Sequence, residues 1–150
     1  NLGALVERIV EEQRMSHPDA HIDVNSEGDL LGRWDGGRVA QMTSNLLNNA
    51  LQHGEKGAAV AVHLDGCDKG CVTMSVANVG HIDGEMRERM FEPFHGSARE
   101  SSAPKRGLGL GLYIVKQIVE AHNGRIDVEC AANRTVFRAT LPRVSAQPAA

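Results

Sequence analysis

The stretch RGLGLGLYIVKQIVEAHNG, residues 106–124, places glycine at 107, 109 and 111 and then passes directly into an apolar pattern of helical period. A glycine inside a helix costs about 1 kcal/mol against alanine, so the run marks a helix entrance whose bare backbone serves a purpose. A helix N-terminus carries unpaired N–H groups and the positive end of the helix dipole, and glycines there let an anion, most often a phosphate, lie against the chain. The run is not the GxxxxGK[ST] of a P-loop, and it lacks the GxGxxG spacing and preceding strand of a dinucleotide fold. Close helix packing is the structural alternative for such glycines.

The rest of the chain surrounds this entrance with helices and strand pairs. Leu2, Leu5, Val6, Ile9 and Val10 recur at helical spacing and predict a first amphipathic helix. A strand is expected at residues 21–24, then a helix over about 36–53 with Val39, Met42, Leu46, Leu47, Ala50 and Leu51 inward and Gly54 as its stop. The alternating runs AAVAVHL and VTMSVAN flank DGCDKG and predict an antiparallel hairpin. A short helix is expected at 85–90, a mobile polar loop at 95–106, and a second strand pair in GRIDVECA and TVFRATLP. Without regular βαβ alternation, this order predicts a two-layer α+β sandwich, a mixed sheet with helices on one face.

Length and charge narrow the function. A chain of 150 residues, 41% hydrophobic, suits one domain, expected over residues 1–144 with 145–150 as a frayed tail. A net charge of -3 and the absence of a basic run argue against nucleic acid as a partner. No run approaches a membrane span, and charges interrupt the first apolar stripe, so direct membrane contact is not expected and the domain is expected in the cytoplasm. Cys67, Cys71 and Cys130, an odd set, fit reduced thiols. His63, Cys67 and Cys71 can be pictured as metal ligands, but Asp65, Gly66, Asp68 and Gly70 spell a hairpin turn, which is the preferred reading.

Within SNLLNNALQHG, three asparagines fall on one predicted helix. Asn45 and Asn49, four apart, share a face, while Asn48 points elsewhere. A carboxamide oxygen is a hard neutral donor suited to a Mg²⁺ held mostly by phosphates and waters, and Asn49 could supply it. On spacing alone, a solvated helix face fits these asparagines equally well.

Together, SNLLNNALQHG, VANVGHIDGEMRERMFEPF and RGLGLGLYIVKQIVEAHNG resemble, in order and spacing, the N box, the G1 and F boxes, and the G2 box of the sensor histidine kinase catalytic and ATP-binding domain. The resemblance runs from about residue 2 to residue 142. It implies the Bergerat ATP-binding fold, also seen in GyrB-type topoisomerases, Hsp90 and MutL: a mixed sheet under three helices, with ATP between the helices and a flexible lid. The loop 95–106 matches the lid, and residues 92–94 its base. By the same resemblance Asn49 chelates Mg²⁺ and Asn45 lines the phosphates. Relatives that hydrolyse ATP have a glutamate at the Asn45 position, and an amide cannot take a proton from water, which favours transfer to a protein histidine. Gly107, Gly109 and Gly111, with Leu108, Leu110 and Leu112 between and after them, would cradle the phosphates, and Lys105 or Arg106 would serve as lid cations. Gln52, His53, Asn78, Gly80, Ile82 and Phe94 complete the implied nucleotide-binding set.

The chain also departs from the family pattern. The G1 box is usually D-x-G-x-G; here Asn78, Val79, Gly80, His81 and Ile82 put an amide in place of the carboxylate that accepts the adenine amine, with one residue fewer. The change from charged to neutral acceptor weakens that bond by about 1 kcal/mol. Some phytochrome-type kinases are similar in carrying asparagine here. Gln52 and His53 replace a lysine and an aromatic, and Leu108 a serine or threonine. None of the 7 histidines lies in an H-E/D-x-x-N/T motif. His17 precedes Pro18 in a turn, and His53, His81, His95 and His122 are expected at the surface or a pocket rim. The phosphoacceptor is therefore expected on a separate dimerisation hairpin of the same protein, N-terminal to Asn1, with a response regulator downstream and a membrane-bound sensor as one setting for the whole. Two other classes remain: a degenerate module of this fold with weak or no nucleotide binding, used for protein interaction or regulation, and a serine-directed kinase of anti-sigma type.

Overall fold

The computed structural model describes residues 1–93 and 110–144. The elements run α1 (Leu2–Ser16), β1 (Ile22–Gly28), α2 (Gly36–His53), β2 (Val60–Gly66), β3 (Cys71–Val79), α3 (Gly84–Arg89), α4 (Gly111–Ala121), β4 (Arg125–Ala131) and β5 (Arg134–Pro142). The expected loop at 95–106 and the expected tail at 145–150 lie outside the described residues.

The helices form where stripe and cap agree. The Asn1 side chain accepts the Ala4 N–H at 3.1 Å and opens α1, whose Leu2, Val6, Ile9 and Val10 are buried. Asp35 accepts the Arg38 N–H at 3.1 Å and opens α2, which buries Val39, Met42, Thr43, Leu46, Leu47 and Ala50 and ends at Gly54. Asp83 does the same for α3 through the Met86 N–H, but α3 buries none of its residues.

The sheet has the order β1-β2-β3-β5-β4. β1 and β2 are parallel, and the other neighbours are antiparallel. β2 alternates buried Val60, Val62 and Leu64 with more open Ala61, His63 and Asp65, so one face packs and the other meets solvent. α1, α2 and α4 cover the packed face, with α2 in the middle touching both neighbours. This is the mixed sheet under three helices that the resemblance implies. The core between the layers includes Met42, Leu46, Val76 and Phe137, and Phe91 meets Phe137 edge-on at 6.2 Å.

β1 extends to Gly28, four residues past its expected end. Asn25, Ser26 and Glu27 are exposed, so no apolar period announces them, and only the in-register pairing with β2 makes them strand. Gly28 has φ +73°, and a Cβ there would lie 2.4 Å from the Gly66 carbonyl carbon, so glycine is required. The DGCDKG hairpin turn forms as expected: the Asp65 carboxylate accepts the Cys67 N–H, and that of Asp68 accepts the Gly70 and Cys71 N–H groups. The Arg143 guanidinium, its side chain 15% exposed, donates to the carbonyls of Leu31, Gly66 and Asp68 and clamps this turn to the start of the α2 approach.

Candidate functional site

The three asparagines of α2 separate as their spacing requires: Asn45 and Asn49 are half-buried and Asn48 is exposed. Asn45 points to the glycine-rich helix, its amide donating to the Gly111 carbonyl at 3.4 Å. This is a long bond, and it sets the asparagine face of α2 against the entrance of α4. Among the described residues a Cβ added at Gly111 would meet nothing within 4 Å, so packing against them does not call for glycine there. α4 begins behind Leu110 with no side-chain cap, and among the described residues no side chain accepts from its first N–H groups. Leu110 and Leu112 are half-buried, and Leu112 packs on the core.

The G1 stretch closes against the other end of α2. Asn78, near the end of β3, is 5% exposed, and its amide donates to the Val79 carbonyl at 3.3 Å, an oxygen that already accepts the Glu55 N–H at 2.9 Å. Among the described residues no group donates to the Asn78 carboxamide oxygen. Gly54 makes room for this side chain: a Cβ at Gly54 would come within 3.2 Å of that of Asn78. Gly80 takes φ +144°, its N–H donating to Asn133 and its carbonyl accepting the Thr135 hydroxyl, both at 2.8 Å. A Cβ at Gly80 would stand 3.4 Å from the His53 carbonyl, so the G1 turn and the end of α2 are in contact. Gln52 and His53 are exposed there and Ile82 is half-buried against the core. Asn49 lies on α2 between the Asn45 end and the His53 end, one turn from each. Phe94, Lys105, Arg106, Gly107, Leu108 and Gly109 lie outside the described residues.

A cleft of about 530 Å³ opens between the ends of α1 and α2, lined by His17, His21, Leu51, Lys56 and Asn78 among others. Among the described site residues only Asn78 lines it; Asn45 meets the Gly111 carbonyl at the start of α4 instead. The asparagine face is the better candidate for the phosphates because Asn45 meets the entrance of α4.

His122 corrects an expectation. It is 4% exposed, neither at the surface nor on a rim. The Asp35 N–H donates to its Nε2 at 3.2 Å, so Nδ1 carries the proton and donates to the Ile118 carbonyl at 2.8 Å. His122 thus fastens the end of α4 to the N-cap of α2, the two helices that carry Gly111 and the asparagines. The bond from the Asp35 N–H to a residue 87 positions away leaves no local signal in the sequence. Replacing the ring takes the acceptor from the Asp35 N–H and leaves a void where a buried side chain was, while the Ile118 carbonyl keeps the backbone N–H of residue 122. His122→Ala is therefore expected to lower unfolding free energy by about 2–3 kcal/mol in a denaturant titration; an unchanged midpoint would contradict this role.

The model of the histidine kinase-, DNA gyrase B- and HSP90-like ATPase family matches residues 34–145. The chain is 34% identical over 143 residues to the bacteriophytochrome of Pseudomonas aeruginosa, covering 95% of this chain and 20% of that protein. It is 39% identical over 118 residues to the sensor histidine kinase TrcS of Mycobacterium tuberculosis, covering 75% of this chain and 23% of that protein. The chain thus spans about a fifth of the length of these relatives. Among solved structures, a nucleotide-free form of the catalytic domain of histidine kinase ThkA superposes with a TM-score of 0.79 at 26% identity, covering 96% of this chain and 95% of that one. With Gly111 at the entrance of α4, Asn45 against it and the three-helix mixed sheet in place, the chain belongs to the histidine kinase-, DNA gyrase B- and HSP90-like ATPase family, as a catalytic domain of the sensor histidine kinase type.

Proposed function

We propose that this domain binds Mg²⁺-ATP and delivers the γ-phosphoryl group to a histidine on a separate dimerisation hairpin of the same protein, from which a response-regulator aspartate receives it. The observation that carries the reading is the Asn45–Asn49 face of α2 held against the uncapped, glycine-led entrance of α4. The open N–H groups of that entrance suit phosphate oxygens, with Gly107, Gly109 and Gly111 admitting them and Lys105 and Arg106 adding positive charge. Asn45 lines the phosphates as a neutral donor and acceptor. The Asn49 carboxamide, half-buried on the same face, fits a hard cation whose other positions are phosphate and water. Mg²⁺ bound there neutralises charge on the transferring group. Asn78 offers its carboxamide oxygen to the adenine amine, with Gly80, Ile82, Gln52, His53 and Phe94 around the base. The same reading puts the domain in the cytoplasm, alone or as the cytosolic part of a membrane-bound sensor. Among the described residues no helix is long and apolar enough to cross a membrane.

Because an amide cannot act as a base toward water, hydrolysis and transfer should separate. Domain incubated with labelled ATP and a phosphoacceptor hairpin supplied in trans is expected to yield an acid-labile phosphoprotein. Domain alone should hydrolyse ATP only marginally. Steady turnover at the rate of a dedicated ATPase would overturn the role of Asn45, and an acid-stable product would point to a hydroxyl target instead.

A further inference from the structure

The solvent-facing side of the sheet carries a group of side chains that the nucleotide site does not use. β1 and β2 pair in register, which sets Glu27 opposite Asp65. His63, two residues before Asp65, shares its face. The ligand atoms of Glu27, His63 and Asp65 all lie within 4.8 Å of one another, and His63 Nε2 is 3.1 Å from Glu27 Oε1. Cys67, the first residue beyond β2, is exposed, and its N–H donates to the Asp65 carboxylate at 2.8 Å; its sulfur lies outside the 4.8 Å group and turns in toward it only when a metal is bound. The loop that presents it is fixed from behind, because Arg143 holds the Gly66 and Asp68 carbonyls on either side of Cys67.

We propose that Glu27, His63, Asp65 and Cys67 form a binding site for a divalent transition-metal ion of the Zn²⁺ class, separate from the nucleotide site. An imidazole nitrogen, a thiolate and carboxylate oxygens make a borderline-soft, four-donor set of the kind Zn²⁺ accepts in tetrahedral geometry. Mg²⁺ and Ca²⁺ ask instead for six or more oxygens. Binding replaces the thiol proton: the Cys67 S–H bond breaks, a sulfur–metal bond forms, and the proton leaves to solvent while neutral His63 donates its ring lone pair.

Zn²⁺ and Co²⁺ titrated into the chain, without nucleotide and with Mg²⁺ in excess, test this by calorimetry and by the Co²⁺ absorption spectrum. The expected result is one ion per chain with a thiolate-to-Co²⁺ charge-transfer band. His63→Ala should weaken binding by about tenfold or more, and Cys67→Ser should remove the band. Cys71→Ser, whose sulfur is not among the proposed ligands, should leave both unchanged. No stoichiometric binding, a band that survives Cys67→Ser, or an affinity unmoved by His63→Ala would each overturn the proposal. All three positions are exposed or half-exposed, and melting curves of the variants establish that each is folded.

Discussion

Asn49→Ala is expected to lower phosphoryl transfer to a supplied hairpin histidine by about a hundredfold or more while leaving the fold intact. The side chain is half-buried on the α2 face that Asn45 turns toward Gly111, and it is the protein-side oxygen assigned to Mg²⁺. Alanine is a better helix former than asparagine by roughly half a kcal/mol, and among the described residues Asn49 makes no side-chain hydrogen bond that the helix would miss, so unfolding does not account for a loss. The diagnostic readout is the Mg²⁺ concentration needed for half-maximal transfer. It should rise in Asn49→Ala, whereas a variant impaired only in contacting the hairpin would keep the wild-type Mg²⁺ requirement. Normal transfer at ordinary Mg²⁺ would show that the asparagine face of α2 is not the metal-facing wall.

The second large effect is expected at Asn78, because it decides between a working kinase and a degenerate module. Its amide makes one long bond, to a Val79 carbonyl already served by Glu55, and its oxygen accepts nothing among the described residues. Asn78→Asp therefore gives up little and offers adenine a charged acceptor, so ATP binding should be kept or strengthened. Asn78→Leu keeps the side chain's bulk beside Gly54 and removes the acceptor. The buried adenine amine then goes unpaired at a cost of about 1–3 kcal/mol, or roughly five- to 150-fold in affinity. Calorimetry on the three proteins, with circular dichroism to establish equal folding, reads this directly. Equal binding by all three would remove Asn78 from the adenine contact. No binding by any would mean that the shortened G1 turn, pinned between Asn133 and Thr135, has closed the pocket, and the non-catalytic reading would stand.

Much of this molecule was legible in its local patterns. α2 falls on residues 36–53 as its apolar stripe and Gly54 stop predict, and the β2–β3 hairpin forms around DGCDKG because Asp65 and Asp68 satisfy the turn from within. Asn45 and Asn49 share a face because a helix repeats every 3.6 residues. Such features depend on neighbours a few positions away, so a one-dimensional reading reaches them. Tertiary structure alone decided the rest. The second half of β1 is strand only because β2 lies beside it, and that parallel pairing is what brings Glu27 to His63 across 36 positions. His122 is buried because closing α4 onto α2 hands it the Asp35 N–H, a partner 87 positions away that turns a polar ring at a helix end into a core residue. Neither pairing leaves a periodic trace, since a buried polar group or a polar strand is stable only once the chain has closed and supplied its partner, and that partner is chosen by the fold as a whole.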